Sequence, residues 1–137
     1  VVVRDTSGSM SKEDLALVTS EVEGLAQKMG VRGSDLLIMD VDAKAHSARA
    51  YTGKRMMETM SGRGGTDMRV GIEAAAAMSP RPHACVVITD GYTPWPDERV
   101  KGMAVIAAIT QTTQADLGKF GVPAHIKAVA VPSENQR

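Results

Sequence analysis

The sequence predicts an α/β domain, a doubly wound and mainly parallel sheet flanked by helices, with one antiparallel edge strand. Three observations predict it. Short apolar, largely β-branched runs recur along the chain and are bounded by Asp, Ser, Gly and Pro, as buried strands are. Segments of helical period or helix-start chemistry lie between most of them, the order of a parallel sheet with right-handed crossovers. Two of the runs also end on Asp-containing turns, and the carboxyl ends of strands are where open α/β sheets bind ligands.

Val1-Val2-Val3-Arg4 is the first strand and runs into an Asp5 turn. A helix follows. Ser11 with Asp14 resembles a capping box, Leu15, Val18, Val22, Leu25 and Met29 recur at steps of three and four, and Gly30 is a natural stop. Leu36 to Met39 is the second strand. Residues 45–51 form a short partner that returns antiparallel, because the joining segment is too short for a helical crossover. Lys54 to Met60 is a helical turn. Gly62-Arg63-Gly64-Gly65 is a flexible loop that delivers Thr66 to a helix running through Met78, which Ser79-Pro80-Arg81-Pro82 ends. Val86-Val87-Ile88, Ala104 to Ile109 and Ile126 to Val131 are the remaining strands, with a helical segment from Thr112 to Phe120. Residues 1–132 form one domain, and 133–137 are a frayed polar tail.

The 137 residues suffice for one domain with a single core. With one Trp, two Tyr and one Phe but nine Met, that core is aliphatic and pliable. Lys plus Arg and Asp plus Glu both number 16, so no basic field draws nucleic acid or an anionic membrane. The single cysteine, Cys85, lies in an apolar run; it excludes an internal disulfide framework and points to a reduced, cytoplasmic setting. No apolar stretch approaches the ~20 residues of a membrane span. The chain opens inside a strand and without an initiator Met, which predicts a piece of a longer protein.

Three strings carry the chemistry: Asp5-Thr6-Ser7-Gly8-Ser9, Gly64-Gly65-Thr66-Asp67 and Thr89-Asp90-Gly91. Asp-x-Ser-x-Ser sets a carboxylate and two hydroxyls on alternate residues of a turn. A distant Thr hydroxyl and a second Asp complete an all-oxygen shell of the kind a hard divalent cation prefers. Asp5 and Asp90 face one another if the strands that precede them are neighbours where strand order reverses. A plain helix-capping role for Asp5, Ser7 and Ser9 would leave Asp90 as an unneutralised acid beside Asp5. Thr66 also suits an N-cap, and Asp67 is placed for a structural role in the first turn of its helix.

In these positions the chain resembles the von Willebrand factor A-type domains. Their metal-ion-dependent adhesion site is Asp-x-Ser-x-Ser, a later Thr, and an Asp closing a later strand. The matching residues are Asp5, Ser7, Ser9, Thr66 and Asp90, in family order, and the likeness spans essentially the whole chain. The stretch Thr89 to Pro96 looks closest to the bacterial branch described as von Willebrand-like domains of predicted metallopeptidase proteins, relatives of which act beside AAA+ ATPases of the MoxR type. The resemblance implies a cation, Mg²⁺ with Mn²⁺ or Ca²⁺ as substitutes. Ser7 and Ser9 would ligate directly, Thr66 directly or through water, and Asp5 and Asp90 directly or through bound waters. It implies a non-catalytic, cation-dependent protein-interaction module that takes an Asp or Glu carboxylate from a partner.

Two other classes compete. Leu36 to Asp42 followed by Val86 to Thr89 echoes the haloacid-dehalogenase phosphatases, with Asp40 as nucleophile and Asp42 as acid/base. Lys44 stands where that family needs Thr or Val, and no late Lys and acidic pair completes the set, so Asp40 and Asp42 are better read as strand-end turn residues. The third class is a degenerate structural domain of a larger metallopeptidase-like protein. His46, His83 and His125 are isolated, without a His-Glu-x-x-His helix, and the glycine loop lacks the Lys-Ser/Thr ending of a phosphate-binding loop. On the loop leaving Asp90, Tyr92 and Trp95 are the candidate partner-binding residues. Pro94 and Pro96 stiffen Trp95, which either supplies an interface hot spot or folds down to anchor the loop.

Overall fold

The computed structural model describes residues 1–6, 13, 16, 17, 19, 20, 37–41, 49, 50 and 67–132. They build a six-stranded sheet from β1 (Val2–Asp5), β2 (Leu37–Val41), β3 (Arg49–Ala50), β4 (Ala84–Thr89), β5 (Ala104–Thr110) and β6 (Lys127–Val131), in the order β3-β2-β1-β4-β5-β6. β1 runs parallel to β2 and to β4, β4 to β5, and β5 to β6. The two-residue β3 pairs antiparallel with β2, Leu37 opposite Ala50 and Ile38 opposite Arg49. Strand order therefore reverses at the β1/β4 pair. The chain leaves β1 toward β2 on one side and reaches β4 on the other, which opens a crevice between their carboxyl ends.

Helix α1 (Met68–Ala76) joins the β3 side of the sheet to β4. Strand side chains alternate between faces, and the face carrying Val3, Met39, Val41, Cys85, Val87, Val105, Ala107 and Ile109 packs on Met68, Ile72 and Ala75 of α1. Gly71 sits where the helix comes closest: a Cβ there would lie 2.6 Å from Val3 Cγ1 and 2.8 Å from Val41 Cγ2. Cys85 is buried in this layer, and burial pushes its thiol up to about 12. Arg81 closes the helix end, donating from Nε to the Ala76 carbonyl and from Nη1 to the Lys101 carbonyl, both at 2.8 Å.

Two helical expectations change in extent. The helix expected from Thr66 through Met78 is α1, with Asp67 as its N-cap and Ala77 as its C-cap. The segment 112–120 forms a 3₁₀ helix, Gln114–Phe120, rather than an α-helix. It opens on the short-range bond from Asp116 N to Thr113 O, includes Gly118, and ends at Gly121 in the left-handed region (φ 64°), so its seven residues have little support for α-helical winding. Between β1 and β2, Glu13, Ala16, Leu17, Thr19 and Ser20 are helical. The apolar stripe Leu15, Val18, Val22, Leu25 and Met29, the turn at 54–60 and the tail 133–137 lie outside the described residues.

Candidate functional site

The β1/β4 pairing decides the first question about the site. Val2, Val3 and Arg4 lie in register with Val86, Val87 and Ile88, so Asp5 and Thr89 are next to each other at the carboxyl edge, and Asp90 follows immediately. Asp5 is fully buried and Asp90 is 5% exposed. Both acids therefore stand at the carboxyl edge of the β1/β4 pair, where strand order reverses.

A hydrogen-bonded hydroxyl organises this edge. Thr89 Oγ1 donates to Asp5 Oδ2 at 2.6 Å and accepts from the Gly91 N–H at 3.1 Å. The short contact to a carboxylate is a charge-assisted bond, and it ties the Asp5 side chain to the turn that carries Asp90. The Asp90 carboxylate accepts from the Tyr92 N–H at 3.2 Å, an Asx-type turn that bends the loop over the edge. Among the described residues no cation pairs with Asp90. A buried carboxylate in that position is costly unless positive charge reaches it, so the carboxylate and hydroxyl donors here fit a hard cation. Thr6 extends β1 by bonding the Val41 carbonyl from its N–H at 2.9 Å and its hydroxyl at 3.3 Å. Ser7, Ser9 and Thr66 lie outside the described residues, as does Asp42.

Thr93 links the end of the second string, at Asp67 and Met68, to this edge. Its hydroxyl accepts from the Met68 N–H at 2.8 Å and donates to the Pro94 carbonyl at 3.2 Å, so the start of α1 is pinned to the loop that leaves Asp90. Asp67, next in the chain to Thr66, has a structural role: its Oδ1 caps the Arg69 N–H at 3.1 Å, and both its oxygens bond the Arg69 guanidinium at 3.0 Å. The hydrogen bond from Arg69 holds the Asp67 carboxyl below its ordinary value. Thr93 escaped sequence reading because a lone Thr in a Pro-rich loop has no signature; its role exists only once α1 and β4 are adjacent.

Asp40 requires a correction. It is not a strand-end turn residue but a buried member of β2, and it takes the Arg4 guanidinium bidentately, Nε to Oδ1 at 2.6 Å and Nη2 to Oδ2 at 3.0 Å. Arg4 and Asp40 are register partners on neighbouring strands, and both point to the face opposite α1. The pairing was readable only from the register, since 35 residues separate the two in the chain and no motif joins them.

Trp95 is tied into the fold. Its ring is half-buried against the core and Nε1 donates to the Phe120 carbonyl at 3.3 Å. Among the described residues Tyr92 is the exposed aromatic, at 70%, with its ring edge-on to Phe120 at 5.4 Å. His83 and His125 precede β4 and β6, at the opposite edge of the sheet from Asp5 and Asp90.

Residues 1–127 match the family described as VWA-like domain (DUF2201). The chain belongs to this family. The VWA-like chain also matches the crystal structure of an aerotolerance-related membrane protein from Bacteroides fragilis NCTC 9343 carrying multiple mutations to serines. The TM-score is 0.56 and the identity 20%, over 79% of this chain and 65% of that one, so this chain spans less than two thirds of that protein and the likeness concerns the fold. No curated protein matches the sequence. Among the described residues of the VWA-like domain, no helix is long and apolar enough to cross a membrane.

Proposed function

We propose that this VWA-like domain is a cation-dependent protein–protein interaction module that binds a partner's Asp or Glu through a divalent ion, Mg²⁺ by preference. The observation that carries the reading is that Asp5 and Asp90, both buried, stand at the carboxyl edge of the β1/β4 reversal, with Thr89 bonded to Asp5 and no cation among the described residues on Asp90. Asp5 and Asp90, with Ser7, Ser9 and Thr66 from the adjoining strings, would hold the ion. When bound, the ion would supply Lewis acidity toward an incoming carboxylate, because several of its ligands are neutral hydroxyls. The chain's own part is positional: Thr89 orients one acid, Tyr92 N–H orients the other, and Thr93 holds the start of α1 beside them.

The reading is non-catalytic and cytoplasmic. The resemblance points to a MoxR-type AAA+ ATPase, or to another segment of a longer parent chain, as the source of the carboxylate. The phosphatase alternative is weakened by Asp40, whose two oxygens are engaged by Arg4. Melting temperature in millimolar Mg²⁺ or Mn²⁺ against EDTA tests the proposal. An ion that binds only the folded state at 100 times its dissociation constant stabilises it by about 2.7 kcal/mol. Asp5→Ala and Ser7→Ala should each abolish the rise, and calorimetric titration should lose the binding heat in parallel. Identical melting curves and no titration heat would assign the domain to the degenerate structural class.

A further inference from the structure

The 3₁₀ helix Gln114–Phe120 is locked to the loop of Asp90 by three separate contacts that no part of the cation reading uses. The Phe120 ring lies on the backbone of Gly91: a Cβ at that residue, which has φ 92°, would fall 2.5 Å from the ring. The Phe120 carbonyl accepts from Trp95 Nε1. The Tyr92 ring meets the Phe120 ring edge-on, with the planes at 74°. Next to this pair, the exposed Lys119 carries its Nζ over the Phe120 ring, 5.2 Å from the centroid. Among the described residues Lys119 makes no salt bridge. The result is a rigid platform one residue beyond Asp90, with an exposed phenol, a half-buried phenyl ring and a free ammonium.

We propose that Tyr92, Phe120 and Lys119 form the second half of the docking face, and that they select a partner segment carrying a second acidic residue near the carboxylate that meets the ion. This inference rests on the cation reading for the first carboxylate. Charge complementarity carries the rest. Asp5 and Asp90 make the ion site acidic in the absence of metal, whereas Lys119 is the cation held on the aromatic pair beside it, so it offers a second carboxylate a partner. The exposed Tyr92 ring takes the intervening apolar atoms of the segment at little entropy cost, since aromatic side chains have few rotamers and the Phe120 ring that backs it is packed on Gly91. The occupant is an acidic protein segment rather than nucleic acid, since one exposed Lys in a chain with 16 basic and 16 acidic residues is not the basic field that a phosphate backbone needs.

The test uses the full 137-residue chain and an immobilised set of short peptides of Gly, Ser and Ala. The peptides carry either a single Asp or that Asp with a second one a few positions on. In Mg²⁺, the wild-type chain should retain the two-acid peptides about 2- to 5-fold better than the one-acid peptides, the range expected of one partly exposed ion pair. Lys119→Glu, at an exposed position that leaves folding intact, should remove or reverse the preference while one-acid binding persists. Mg²⁺-dependent retention with a preference unchanged in Lys119→Glu would overturn this inference and leave the cation reading standing. A Lys119-dependent preference indifferent to EDTA would overturn the cation reading and, with it, this inference's claim that the first carboxylate meets the ion. Retention of no peptide would overturn both, and a dimer in sedimentation that Lys119→Glu dissociates would give the platform to a second copy of the chain and overturn the acidic-segment assignment.

Discussion

Replacing Thr89 with Val keeps the shape of the side chain and removes the hydroxyl that organises the carboxyl edge. Two interactions go with it. The 2.6 Å bond to Asp5 Oδ2 is charge-assisted, and such bonds contribute about 1.5–3 kcal/mol. The buried Gly91 N–H, which donates to Thr89 Oγ1, is left without that partner, a loss of about 1–3 kcal/mol. Exchanging the hydroxyl for a methyl in a fully buried position returns roughly 0.8 kcal/mol. Thr89→Val should therefore cost about 3 kcal/mol, which for a domain of this size lowers the melting temperature by roughly 10 °C. Thr89→Ser is the control: it keeps the hydroxyl, loses one methyl, and should cost only about 1 kcal/mol. Urea unfolding in EDTA reads the comparison free of any metal contribution, and a Mg²⁺ titration of both variants then reads the function. Thr89→Ser should keep the Mg²⁺-induced stabilisation, and Thr89→Val should weaken it because Asp5 loses the bond that Thr89 donates to it. If Thr89→Val unfolds at the same urea concentration as Thr89→Ser or higher, packing rather than hydrogen bonding governs this edge, and the assignment of Thr89 is wrong.

Arg4→Met takes the guanidinium away from the buried Asp40 carboxylate and should cost about 3–5 kcal/mol, whereas the paired Arg4→Met/Asp40→Leu variant should recover much of that stability in denaturant unfolding. Gly71→Ala should lower the thermal midpoint despite the better helix propensity of Ala, because about 1–3 kcal/mol of overpacking against Val3 and Val41 outweighs a gain of about 1 kcal/mol; a raised midpoint would mean that α1 shifts freely on the sheet. Asp67→Ala should remove about 1 kcal/mol of capping at neutral pH. Because the folded-state pKa of Asp67 lies below its unfolded value, that contribution is present above the unfolded value of 3.8 and is lost as pH falls through the folded one, so urea midpoints of wild type and variant should converge in strong acid.

The sequence by itself determined the class of fold, the order of the strands along the chain and the identity of the two acids that close β1 and β4. It could do so because these depend on local chemistry: β-branched runs make strands, Asp-Gly and Asp-x-Ser-x-Ser make turns, and a Gly-rich stretch before Thr66 and Asp67 marks a helix start. The expected boundaries of β4, β5 and β6 differ from the observed ones by two residues or fewer. The sequence left the winding open where propensity was weak: the helical segment expected at 112–120 is a 3₁₀ helix over Gln114–Phe120. Tertiary structure alone decided everything that rests on register. Only the pairing of β1 with β4 puts Thr89 on Asp5, and only the pairing of β1 with β2 makes Asp40 the buried partner of Arg4 rather than a turn residue or a nucleophile. The same holds for Trp95. Its sequence setting between two prolines predicts a stiff loop, but whether the ring faces a partner or the core depends on Phe120, 25 residues away, offering its carbonyl to Nε1. Hydrogen bonds and ion pairs between distant residues leave no periodicity in the chain, since either end alone is an ordinary Thr, Asp, Arg or Trp until the sheet brings the other within about 3 Å.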